Sequence, residues 1–219
     1  MITQQQIQKE LELMDSFFSD GEMKQHTKNY VLIRLSSILE NGIKIAITKV
    51  LEEYKNKNKS SRSFSIYLSY NELKEISSHD KSIEEIYFDN NQNLTNARKI
   101  DTAFEVFFNI RIFEMLEFCL GSHIKYKKNI ESFVSQRNNL IHEMSDTTFN
   151  KEKLLEFKNI VTNFLMDLQY FMHAFGELIE KDTREGRLSD DEKMQLKKRF
   201  SEIKNDNSWN DLRLKVKYY

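Results

Sequence analysis

The chain has 219 residues, with 33 Lys and Arg against 34 Asp and Glu and a formal net charge of −1. That is the size of one large or two small domains, and the near-neutral balance excludes polyanion binding through a global field, so any nucleic-acid contact must come from a local basic surface. A hydrophobic content of 39% with 16 Phe and 9 Tyr supports a sizeable core, while 0 Pro, 5 Gly and 31% charged residues argue against turn-rich sandwiches, barrels or propellers and for a mainly helical fold.

Residues 3–18 carry Ile7, Leu11, Met14 and Phe18 at helical steps, and Ser19-Asp20-Gly21 closes them. From 24 to 54, Val31, Leu35, Ile38, Leu39, Ile43, Ala46, Ile47 and Val50 form a wide apolar stripe that belongs in a core, with Glu40, Asn41 and Gly42 as a polar patch within it. Residues 55–62 form a basic linker. Residues 63–70 alternate Phe64, Ile66, Leu68 and Tyr70, a short strand signal. The stretch 71–93 is loop-rich, with short helices expected at 72–77 and 83–88.

Ala103, Phe104, Phe107, Phe108, Ile112, Phe113, Leu116, Phe118 and Leu120 read as one nearly all-round apolar, central helix ending at Gly121. A further helix spans 127–144 and breaks at Asp146-Thr147-Thr148. Thr148 or Asn150 can cap the next, long apolar helix, whose stripe runs from Leu154 to about Ile179. Residues 182–187 connect to a charged helix at 189–204, opened by the capping-box pattern Ser189-Asp190-Asp191-Glu192. The tail alternates Leu212, Leu214, Val216 and Tyr218 with basic residues, and fits pairing with 63–70 or docking on a partner chain. The fold expected is an all-α bundle with at most a minor β-hairpin.

The lone Cys119 cannot close an internal disulfide, which fits a reducing cytosol, and its helix makes it a core residue. The polar N-terminus lacks a signal-peptide pattern, and no run approaches the ~18 apolar residues of a membrane span. A cytoplasmic protein without a membrane partner is expected.

Glycines at 21, 42, 121, 176 and 186 permit neither a dinucleotide fingerprint nor a P-loop. His142-Glu143 lacks the second histidine of a zinc-protease helix, because position 146 is Asp. His26, His79, His123 and His173 have no partners at ligand spacing, and no Gly-x-Ser-x-Gly elbow occurs. No metal site and no cofactor are expected.

What remains is the run from Ser135 to Glu143, with Arg137, Asn138 and His142. These are groups suited to metal-free RNA cleavage, in which a ribose 2′-hydroxyl attacks the adjacent phosphate. A guanidinium is a permanently charged fork for phosphoryl oxygens, a histidine exchanges protons near neutrality, and an asparagine orients without titrating. On a helix Asn138 and His142 are about 40° apart, but Arg137 and His142 are about 140° apart. The motif also supplies one histidine where acid and base catalysis call for two titrating groups. Two copies across a two-fold axis answer both problems. On spacing alone the run also reads as an ordinary helix end. Lys125, Lys127 and Lys128 upstream are candidate RNA-phosphate contacts or simply a solvated helix start.

The segment Phe133-Val134-x-x-Arg137-Asn138-x-x-Ile141-His142-Glu143, followed by a turn and a long apolar helix, resembles the HEPN superfamily of helical ribonucleases. The resemblance covers roughly residues 30–180, so residues 1–182 are expected to form the HEPN-like domain and 183–219 a C-terminal helical, basic extension. It implies a homodimer that cuts RNA without metal, used as a toxin or an anti-phage effector, with an antitoxin or defence-system protein as partner. Some relatives of that kind have lost activity and only bind RNA or protein. It further implies that Arg137 contacts the scissile phosphate, that His142 transfers protons or stabilises the phosphate, and that Asn138 orients both. Glu40 resembles an acidic residue that recurs in the N-terminal helix of some such nucleases, and enters as a candidate RNA-side residue.

Overall fold

The computed structural model describes residues 4–19, 23–57, 70–78, 80–90, 94–143, 150–179 and 188–206. Among them the regular structure is entirely α-helical: α1 (Gln4–Ser19), α2 (Gln25–Lys57), α3 (Tyr70–Ser77), α4 (Ile83–Asn90), α5 (Ala97–Phe108), α6 (Ile112–Leu120), α7 (Tyr126–Glu143), α8 (Lys151–Ile179) and α9 (Asp190–Asn205). The all-α expectation holds. The alternating residues 63–69 and the tail beyond 206 lie outside the described residues, and Tyr70 opens α3.

The long helices α2 and α8 make the most extensive contact of the fold. Their stripes leave Leu35, Leu39, Ile43 and Ile47 of α2 and Phe164, Leu168 and Phe171 of α8 fully buried. Gly42 sits at the crossing. A Cβ there would lie 2.5 and 2.7 Å from the two methyl carbons of Leu165, which is itself 2% exposed. The Leu165 side chain packs directly on the α2 backbone because this one position carries no side chain.

The other helices dock on that pair in a readable order. Against α8, α7 runs antiparallel, since Tyr126 meets Phe164 (ring centroids 5.4 Å) and Phe133 meets Phe157 (5.3 Å). α9 is antiparallel on another side of α8. Arg199 grips Glu177 with two N–H donors at 2.5 and 3.0 Å, Lys204 reaches Asp167 at 2.6 Å, and Leu196, Phe200 and Ile203 are buried in the common core. The Arg199 guanidinium holds the Glu177 carboxyl below its ordinary value. α1 folds back along α2 with Glu10 on Arg34 and Phe17 edge-on to Tyr30 at 6.0 Å. Asp15 of α1 forms a buried ion pair with Lys158 of α8.

The single apolar helix expected from 103 to 120 is in fact two. α5 stops at Asn109, which adopts the left-handed conformation (φ 55°, ψ 37°), and its N–H closes on Glu105 O at 3.0 Å. Asparagine tolerates that conformation better than other non-glycine residues. Asp101 then accepts the Phe113 N–H at 3.3 Å and so caps α6 from α5. Two one-sided apolar faces, joined at a bend, mimic one all-round face in the sequence. At the other caps the sequence reading holds: Asn150 accepts the Lys153 N–H at 2.9 Å, and Ser189 with Glu192 forms the capping box of α9.

Two expected outcomes check this packing. Gly42→Ala gains about 1 kcal/mol of helix propensity but overpacks the α2–α8 crossing by about 1–3 kcal/mol; thermal melts are expected to show a lower Tm, and a higher one contradicts the close approach. Asp15→Ala strands a buried ammonium and is expected to cost about 3–5 kcal/mol in urea unfolding, whereas the double change Asp15→Leu with Lys158→Met recovers most of that loss.

Candidate functional site

α7 is anchored by Tyr126, Ile130, Phe133 and Val134, all buried. At 100° per residue Arg137 falls within about 40° of Tyr126, Ile130 and Phe133, so it continues the core-facing stripe of α7 at the point where that stripe leaves the bundle. The Phe133–Phe157 contact puts this point beside the first turns of α8. Arg137 is accordingly half-buried. Its Nη1 donates to Asn138 Oδ1 at 3.0 Å, and its Nε is shielded from solvent without a hydrogen-bond partner among the described residues. A guanidinium carries five N–H donors, and Asn138 takes one of them. The shielded Nε–H is a second, and the planar charged group as a whole is of the kind that suits an oxyanion.

The backbone of α7 is α-helical through Glu143, and its side chains are described through Asn139. Because the helix does not distort before its end, the Cα positions of Arg137 and His142 keep their angular separation of about 140°. Asn138 stands between them, about 40° from His142, and is the residue that the structure joins directly to Arg137.

The remaining candidates lie elsewhere. Lys125, Lys127 and Lys128 are exposed at the opposite end of α7. Lys128 and Arg137 are separated by about 14 Å along the axis. Lys127 lies 3.6 Å from the buried Asp101 carboxylate. Glu40 pairs with Lys44 on its own helix at 2.8 Å, and Lys44 in turn sits 5.8 Å over the Phe88 ring. Glu40 is near the Gly42–Leu165 crossing, whereas Arg137 is beyond the Phe133–Phe157 contact, and those two levels are about 12 Å apart along α8. The structure therefore brings Arg137 and Asn138 together and sets Glu40 and the three lysines at a distance.

No family model, curated protein or solved structure matches this chain.

Other groups narrow the chemistry. Burial pushes the Cys119 thiol up to about 11, so it stays protonated and inert at neutral pH. Among the described residues no group of three or more His, Cys, Asp or Glu is placed to hold a metal, and no helix is long and apolar enough to cross a membrane. His26 and His123 are exposed, His173 has Nε2 3.3 Å from Glu177 Oε1, and His79 lies outside the described residues.

The sequence reading missed two polar features. One is a set of buried carboxylates: Asp101, and Asp167, which accepts from the Tyr126 hydroxyl and from Lys204. The other is an open cleft of about 440 Å³ at the α5–α6 bend, where Arg111 spans Glu105 at 2.7 Å and Glu114 at 3.1 Å. Neither has a local signature, because each set of partners comes together only across a bend or between helices.

Asp101 yields a signed prediction. Burial is the strongest influence on it and raises its carboxyl above the ordinary value of 3.8, against the opposing pull of the Phe113 N–H and Lys127. The folded state therefore holds this proton more tightly than the unfolded chain, and the contribution is greatest at low pH and lost as pH rises through the folded-state value. Asp101→Asn keeps an oxygen for Phe113 and removes the buried charge. It is expected to be at least as stable as the wild type at pH 7, with the difference shrinking as the pH falls towards 4; a difference that grows in acid contradicts the assignment.

Proposed function

We propose that this protein is a metal-independent endoribonuclease of the HEPN kind, acting through Arg137, Asn138 and His142 contributed by both chains of a homodimer. The reading is supported above all by one observation: a half-buried guanidinium, bonded to the neighbouring Asn138 and with a shielded Nε that has no partner among the described residues, at the bundle end of the helix that carries His142. A partly desolvated cation of that kind stabilises charge developing on phosphoryl oxygens more strongly than an exposed one. In the reaction the 2′-oxygen bonds to phosphorus, the P–O5′ bond breaks, and one proton leaves the 2′-hydroxyl while another reaches the departing 5′-oxygen.

His142 is the titrating group of the motif and takes one of these protons. The second transfer calls for a second imidazole, which a two-fold partner supplies. Arg137 neutralises the phosphoryl charge and Asn138 holds its guanidinium in place. A toxin or phage-defence role, in the cytoplasm and with an antitoxin or defence protein as partner, follows from the family resemblance.

A second reading has its own observation. Arg137 and His142 remain about 140° apart on an undistorted helix, which suits an RNA- or protein-binding module that has the fold without the activity. Purified protein on total RNA in excess EDTA separates the two. Wild type is expected to fragment the RNA, with Arg137→Ala and His142→Ala each slower by about 10²–10³-fold; RNA left equally intact by all three favours the binding module.

A further inference from the structure

Of the five large apolar side chains exposed among the described residues, Met194 of α9 and Phe118 of α6 stand apart, and the other three lie together on α1 and α2. Leu13 is 46% exposed, Tyr30 40% and Ile33 42%, and the Phe17 ring lies edge-on to Tyr30 at 6.0 Å. Leu13 and Phe17 are one turn apart on α1, and Tyr30 and Ile33 one turn apart on α2. The antiparallel Glu10–Arg34 and Phe17–Tyr30 contacts set the two pairs side by side, so the four residues form one patch. Single exposed apolar residues need no explanation; here three lie together beside a second aromatic ring, the side-chain type enriched at the centres of interfaces.

The charge around the patch indicates what covers it. A two-fold contact places the same surface against itself, so a patch of one sign repels its copy. Here Lys9 and Arg34 balance Glu10 and Glu12, and Arg34 and Glu10 already neutralise each other across α1 and α2. A face with an apolar centre and a self-cancelling rim suits a second copy of itself. It offers little to an RNA backbone or to a strongly charged protein.

Area and position agree. With roughly 200 Å² for a fully exposed large side chain, Leu13, Tyr30 and Ile33 present roughly 250 Å², the apolar centre of an interface that needs about 800 Å² per partner. Gln6, Ser16 and Ser37 lie around it as a polar rim. The Asp15–Lys158 and Phe133–Phe157 contacts put the second half of α1 and the second half of α7 at the same end of the bundle, beside the first turns of α8. The patch and Arg137 therefore share one end of the molecule.

We infer that a second copy of this chain docks through the α1–α2 face around Leu13, Phe17, Tyr30 and Ile33, forming a two-fold dimer. This inference rests on the composite-site reading only in tying that interface to the end that bears Arg137. The test is light scattering on the full chain at micromolar concentration, with Ile33→Asp, Ile33→Lys and an equimolar mixture of the two. Wild type is expected at twice the chain mass of 26.3 kDa. Each single variant is expected at half the wild-type mass with an unchanged helical spectrum, and the mixture is expected to regain dimer. A monomeric wild type overturns the inference and leaves the face to a different partner; variants that stay dimeric overturn it as well. RNA cleavage by the same samples keeps the two proposals apart. A monomeric variant that cleaves like the wild type leaves the interface standing and removes the composite site, and a wild-type dimer that does not cleave leaves the interface standing and removes the nuclease.

Discussion

The packing of α2 on α8, with Leu165 seated against Gly42, sets the frame for everything else. Two helices of this length bury most apolar area when their backbones approach, and the missing Cβ lets Leu165 fill the crossing directly. That packing fixes the groove into which α7 packs, and with it the register of Tyr126 on Phe164 and Phe133 on Phe157. Arg137 follows one turn after Phe133 on the same stripe. It is half-buried at the outer end of that stripe.

The buried charges act on register more than on net stability. Lys158 with Asp15 joins α8 to α1, Asp167 joins α8 to α7 and α9 through Tyr126 and Lys204, and Asp101 joins α5 to α6 and α7. Well-packed apolar residues serve a core about as well as a buried ion pair. A misaligned pair, however, leaves a charge uncompensated in a low-dielectric interior, which penalises any slip of one helix along another. The Asp15–Lys158 pair lies at the end of the bundle where α1, the start of α8 and the half of α7 that carries Arg137 converge, while the Asp101 and Asp167 links hold the opposite end of α7.

Much of this was legible in the sequence because it is local. Helical periodicity gives α1, α2, α7, α8 and α9 to within a few residues, and Ser189 with Glu192 announces its own capping box. The bend at Asn109 was not legible, since neither Pro nor Gly marks it and the apolar faces of α5 and α6 run together in the one-dimensional pattern. Nor was the role of Gly42, which depends on a residue 123 positions later, or the pairing of Asp15, whose partner is 143 positions away. At the candidate site the residue types were readable and so was the angular conflict between Arg137 and His142. The Arg137–Asn138 hydrogen bond, and the separation of both from Glu40 and from the lysines at the start of α7, needed the three-dimensional packing.

The chemistry proposed for α7 is specific in its bond changes: the 2′-oxygen would replace the 5′-oxygen on phosphorus, with imidazole and guanidinium groups in place of a metal. The most direct test reads the ends of the products. RNA cut by this protein is expected to carry 2′,3′-cyclic phosphate and 5′-hydroxyl termini, and a single 2′-deoxy substitution at the scissile nucleotide is expected to block cutting there. Fragments that begin with a 5′-phosphate, or cutting that proceeds unchanged at the deoxy position, would contradict the account.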